Sequence, residues 1–113
     1  MLPKKHRLVK KKDFKLAFEK GTSYFSPAVN LVVSKNNDAS YFLIGFIISN
    51  KVSKKAVVRN KIKRQMRAIL RSFLSTLKGG GSLIFIAKKS LLDSNYHELE
   101  RDIRTLLSKS KLV

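Results

Sequence analysis

The chain of 113 residues contains no cysteine, which excludes disulfides and thiolate metal sites. Its two histidines, His6 and His97, lie near opposite ends without ligand spacing, so no structural zinc is readable. No run of about 18 apolar residues is present, which leaves no candidate for a membrane-spanning helix. Acidic side chains are scarce: Asp13, Glu19, Asp38, Asp93, Glu98, Glu100 and Asp102 complete the inventory, and none falls between Lys51 and Leu92. No two of them read as a poised acid–base pair, because Asp13 and Glu98 are accounted for as helix-capping residues and the others fall on expected helix surfaces or a turn. Nucleophile, oxyanion-hole and phosphate-loop patterns are missing as well. The residues alone describe a binding protein.

What the chain has in excess is positive charge. Lys plus Arg number 25 against 7 Asp plus Glu, a net charge of +18 and a pI near 10.6, which fits a chain that works against a polyanion. A lipid surface is the other candidate, but the lysines are spread over several elements and do not share one amphipathic helix, so no membrane partner is expected. A nuclease acting by itself would need carboxylates to hold Mg²⁺ or a His pair for proton transfer, and neither is evident. The start, MLPKKHRLVKKKDF, lacks the apolar core of a secretory signal, so the cytoplasm is the expected location. The length argues for one domain spanning residues 1–113.

Along the chain, residues 1–12 read as an extended basic arm, with Leu8 and Val9 its apolar pair. Asp13 is placed as the N-cap of a helix of about two turns whose apolar set Phe14, Ala17 and Phe18 falls on one face and which stops at Gly21. Thr22 to Phe25 reads as a brief strand. Ala28 to Ser34 alternates, with Val29, Leu31 and Val33 on one side, and Asn36-Asn37-Asp38 turns the chain back into Tyr41 to Ser49, so these two segments are expected to pair as a hairpin. The near-continuous apolar run YFLIGFIIS suits a central strand, with Gly45 marking a bulge or the approach of another backbone. A long helix follows over about residues 56–78, ended by Gly79-Gly80-Gly81, and then a strand Ser82 to Ala87. Asn95 with Glu98 forms a capping box for a last helix that carries Leu99, Ile103, Leu106 and Leu107 at helical spacing. The order αβββαβα around a four-stranded sheet is an α+β fold, a two-layer α/β sandwich.

The long helix has two faces. With about 100° per residue, Ile62, Met66, Ile69, Leu70, Phe73, Leu74 and Leu77 collect in an arc of roughly 140°, and Asn60, Lys63, Arg64, Arg67 and Arg71 in an adjacent arc of roughly 100°. Cations at i, i+4, such as Arg59, Lys63 and Arg67, repel one another, so an acidic partner is the expected compensation. A merely solvated basic face is the plainer reading. Against it stand the neutral donor–acceptor Asn60 among the cations, the missing acids, and the planar forks of arginine, which suit phosphates and bases.

These residues resemble the protein component of bacterial ribonuclease P, whose hallmark is a Lys-rich lead into Ala-Val-x-Arg-Asn-x-x-Lys-Arg-x-x-Arg. Lys54 and Lys55 supply the lead, and Ala56, Val57, Arg59, Asn60, Lys63, Arg64 and Arg67 match the rest one for one. The resemblance runs on through HRLVKKKDFKLAFEKGTSYFS and SLIFIAKK, and departs at Ala68, where an acidic or polar residue often stands. It implies a fold like the second domain of ribosomal protein S5 with a left-handed βαβ crossover, where general rules favour the right-handed one. It also implies a protein subunit that assists an RNA subunit, with its Mg²⁺ ions, in removing the 5′ leader of precursor tRNA. Its partners would be ribonuclease P RNA and precursor tRNA, with no protein partner required and Mg²⁺ held mainly by the RNA subunit. Carried over, Lys54, Lys55, Arg59, Asn60, Lys63, Arg64 and Arg67 would dock the RNA subunit and help order metal near the cleavage site, Arg59 and Lys63 projecting outside the apolar arc. Phe14, Phe18, Lys88 and Lys89 would meet the leader; on spacing alone, two Phe at i, i+4 describe a core stripe equally well.

Two other classes compete. A structural ribosomal-type RNA-binding protein has the same size and charge but not this motif spacing. A DNA-binding regulator would place the long helix in the major groove, yet that helix is apolar along one side and has no short helix–turn partner before it.

Overall fold

A computed structural model describes residues 6–8 and 10–112. Three α-helices and four strands follow the expected order: α1 (Lys11–Lys20), β1 (Thr22–Phe25), β2 (Val29–Lys35), β3 (Phe42–Ile47), α2 (Ala56–Arg71), β4 (Gly81–Ala87) and α3 (Tyr96–Lys109), with a 3-10 turn at Lys89–Asp93. The sheet order is β1-β2-β4-β3. β1 pairs antiparallel with β2, β2 antiparallel with β4, and β3 parallel with β4.

The expected hairpin between the second and third strands therefore does not form, since β4 lies between them. Leu83, Ile84 and Phe85 of β4 are fully buried, and a strand apolar on both faces gains most from an inner position. β3 is correspondingly an edge strand and not a central one. Its apolar character is explained by cover along that edge: the amide of Leu8 donates to the Ile44 carbonyl at 2.8 Å, and Arg7 bridges Ile44 in parallel. Within the expected arm, the described residues His6 to Leu8 thus lie along the sheet, Leu8 is buried, and Lys11 and Lys12 open α1; Lys4, Lys5 and Val9 lie outside the described residues.

Alternation sends the two faces of the sheet to different cores. Leu31, Val33, Ile44, Leu83 and Phe85 meet Ile62, Met66, Ile69 and Leu70 of α2 and Leu99, Ile103, Leu106 and Leu107 of α3, which makes the two-layer sandwich. Val32 and Ile84 face the other way, under Ala17 of α1 and beside Leu8. α3 begins as expected: the Asn95 side chain accepts from the Glu98 amide at 2.9 Å, and Glu98 Oε1 accepts from the Asn95 amide at 3.1 Å.

Two helix boundaries differ from expectation. α1 starts at Lys11 with Lys10 at the N-cap position, so Asp13 is not the cap but a first-turn acid, where it complements the helix dipole. α2 ends at Arg71, about two turns short of the expected stop, because hydroxyls draw the carbonyls away: Ser72 Oγ donates to the Ile69 carbonyl at 2.6 Å and Thr76 Oγ1 to the Phe73 carbonyl at 2.8 Å. The glycines act later, at the strand. Gly81, with φ of 135°, pairs with Lys35 and Phe42, and a side chain there would collide with the Ser34 carbonyl. Gly45 answers neither to a bulge nor to another backbone: what approaches it is the ring of Phe14.

Candidate nucleic-acid interface

α2 carries the basic face. Its N-terminal turn has no acidic residue, and Lys54 and Lys55, both exposed, stand where the helix dipole is already positive. That placement is unfavourable for the free protein and favourable for a bound anion. Asn60 and Arg64 are exposed, Lys63 and Arg67 half-buried, and the four line a shallow concavity of about 490 Å³ together with Val57. No carboxylate lines it. Among the described residues, no hydrogen bond or ion pair occupies the side chains of Asn60, Lys63 or Arg64, and Arg67 Nε is buried without an acceptor.

Arg59 differs from the expectation that it projects outside the apolar arc. It is half-buried, and its guanidinium donates to the Ser53 carbonyl at 2.9 Å, tying the loop to the helix start. The wheel position explains this: at about 100° per residue Arg59 falls inside the apolar arc, between Met66 and Leu70, so its long side chain lies along the protein and reaches backward.

The second group of expected residues is divided by the fold. Phe14 is half-buried beside the Leu8, Ala17, Val32 and Ile84 cluster, whereas Phe18, one turn on, is 45% exposed. Lys88 continues the parity of Ile84 and Ile86, but its ammonium donates to the Ser26 carbonyl at 2.8 Å. Lys89 is exposed and opens the 3-10 turn instead of ending the strand.

At three positions the structure shows a placement that the sequence reading did not give. Val57 is 77% exposed amid the basic face, an apolar side chain with no core to enter. Asn30 stands on the α1 side of β2, in register between Phe25 and Ile86, with its Oδ1 buried and unpartnered. Asp102, expected on a helix surface, is buried and accepts from the Ala28 amide at 3.2 Å. Its position in the helix, one residue before Ile103, was the available signal.

Comparison with known proteins bears directly on this arrangement. The family model for ribonuclease P matches residues 2–111. The chain belongs to the ribonuclease P protein family. A relative from Pseudanabaena sp., a ribonuclease P protein component, is 38% identical over 113 residues, covering 100% of this chain and 97% of its own length. Among solved structures, a mutant of the Staphylococcus aureus RNase P protein with defective mRNA degradation activity superposes with a TM-score of 0.89 at 26% identity, covering 97% of this chain and 92% of that one. The RNase P protein from Thermotoga maritima gives 0.80 at 26% identity, covering 91% and 96%.

As in a ribonuclease P family protein, the face is cationic, and among the described residues no group of three or more His, Asp or Glu could hold a metal ion. No helix there is long and apolar enough to cross a membrane. What the arrangement can do chemically is neutralise phosphate and offer aromatic faces.

Proposed function

We propose that this chain is the protein subunit of a ribonuclease P, binding the catalytic RNA subunit and the 5′ leader of precursor tRNA and so assisting endonucleolytic release of the mature 5′ end. The observation that carries the reading is the carboxylate-free face of α2, where Asn60, Lys63, Arg64 and Arg67 share one concavity. Docking RNA there relieves the repulsion that these cations impose on the isolated helix. Lys54, Lys55 and Arg59 extend the face at its N-terminal end, Arg59 by holding the loop at Ser53.

In this reading the bond-breaking chemistry belongs to the RNA subunit and Mg²⁺ is held mainly by RNA. The role of the protein in it is to lower charge repulsion where polyanions converge. The leader side is the open face of the sheet beside α1, with Phe14 and Phe18 as stacking surfaces and Lys88 and Lys89 at the strand end. The cytoplasm is the proposed location, and no protein partner is needed.

Reconstitution tests this. Mixed with a bacterial ribonuclease P RNA at Mg²⁺ too low for that RNA alone, the protein restores leader removal from precursor tRNA. A protein that binds the RNA but leaves cleavage unchanged refutes the proposal and favours a structural RNA-binding role.

A further inference from the structure

Asp102 is buried on the sheet-facing side of α3, in a chain of net charge +18, and among the described residues no Lys or Arg pairs with it. Its Oδ2 instead accepts from the Ala28 amide at 3.2 Å, a contact across 74 residues of chain. A buried carboxylate that meets a neutral donor loses much hydration for a modest return, so it is a weak source of stability. What it does control is the place of that donor. Ala28 ends the link Ser26-Pro27-Ala28 between β1 and β2. The residues after β4 bind all three carbonyls of this link: the Lys88 ammonium donates to Ser26 at 2.8 Å, the Ser90 hydroxyl to Pro27 at 2.6 Å and the Lys88 amide to Ala28 at 2.9 Å.

α3 reaches the same region at two points, through Asp102 at the Ala28 amide and through Lys109, whose ammonium donates to the Phe25 carbonyl at 3.3 Å. The Lys109 contact is exposed and made by a long side chain, whereas the Asp102 contact is buried and made by a short one. The carboxylate is therefore the firmer of the two holds. An ammonium has three donors, and Ser26 takes one from Lys88, which leaves two for an anion. A lysine tethered to a fixed carbonyl has already lost the rotamer freedom that gripping a phosphate would cost a loose one. We infer that Asp102 is a positioning residue for Lys88: from the opposite layer of the sandwich it fixes the Ser26-Pro27-Ala28 link, and the link holds the ammonium in place for a phosphate of the leader. This rests on the reading that Lys88 meets the leader, and adds to it a side chain that touches no RNA.

The test uses holoenzyme reconstituted with a bacterial ribonuclease P RNA. Affinities for a precursor tRNA and for the leaderless mature tRNA are measured for each variant, with a melting curve of the protein. Lys88→Ala lowers the precursor-to-mature affinity ratio by about tenfold, as loss of one charge-assisted contact does. Asp102→Ala and Asp102→Leu, which remove the acceptor with and without leaving a cavity, each lower the ratio by about three- to tenfold. Asp102→Asn, whose amide oxygen still accepts from Ala28, keeps it within about twofold of wild type. Added to Lys88→Ala, either acceptor-removing change lowers the ratio no further, because no ammonium is left to place. Ile103→Val thins the core at the next position of α3 and lowers the melting temperature without lowering the ratio. If the Asp102 variants lower the ratio equally with and without Lys88, or lower only the melting temperature as Ile103→Val does, the positioning role is refuted and leader contact at Lys88 stands. If Lys88→Ala itself leaves the ratio unchanged, that contact and the inference fall together.

Discussion

The ring of Phe14 rests on Gly45: a Cβ built at position 45 would come within 2.5 Å of the ring's tip. One residue from the first helix and one from an edge strand thus share a single space, with the Leu8 segment beside them.

That contact predicts a double effect of filling the glycine. Gly45→Val displaces the ring, costing about 1–3 kcal/mol by overpacking. It also lowers the precursor-to-mature affinity ratio, since the stacking surface moves. Urea denaturation of the protein alone, with binding by the holoenzyme, checks both, and an unchanged ratio would show that the position of the ring does not matter to the leader.

Phe14→Ala removes the surface altogether. Because each stacked base contributes about 1–3 kcal/mol, precursor affinity falls by roughly tenfold with mature tRNA nearly unaffected. A purely packing role gives another pattern, in which both affinities fall together with the folded fraction and the melting temperature.

Binding to the RNA subunit weakens steeply with salt. For about six phosphate contacts the loss is roughly a thousandfold between 50 and 200 mM, through counterion release. A titration at several salt concentrations gives the slope directly, and a flat profile contradicts a phosphate-binding face.

Asp102→Ala leaves the buried Ala28 amide without its acceptor. The expected cost is about 1–3 kcal/mol of stability, seen in the denaturation midpoint, with salt dependence of binding to the RNA subunit unchanged. A shift in that slope would mean that Asp102 shapes the α2 face as well.

Asn30→Leu has the opposite sign. The substitution removes a buried Oδ1 with no partner and keeps the branched shape, so stability rises, by up to about 1–3 kcal/mol. A lower midpoint would reveal a hydrogen bond that Asn30 needs.

Local sequence was enough for what depends on neighbours along the chain. The Asn95–Glu98 cap, the apolar stripes of α2 and α3 and the single-sided crowd of cations on α2 follow from spacing on one helix, where i, i+3 and i+4 decide which side chains meet. Family membership was legible for the same reason, since the motif from Ala56 to Arg67 lies on contiguous turns. Strand partners were not. Alternation tells which residues share a face but not which strand lies alongside, so β4, arriving after α2, took the place beside β2 that the sequence order assigned to β3. The helix end at Arg71 turned on hydroxyls competing for carbonyls, a contest that apolar periodicity does not register. Only the tertiary structure decided that Phe14 is half-buried over Gly45 while Phe18 is open, and that Lys63 and Arg67 line the hollow beside Gly45 as well as the concavity on α2. Each depends on residues distant in the chain meeting at one edge of the sheet, where side-chain exposure is set by what folds against it.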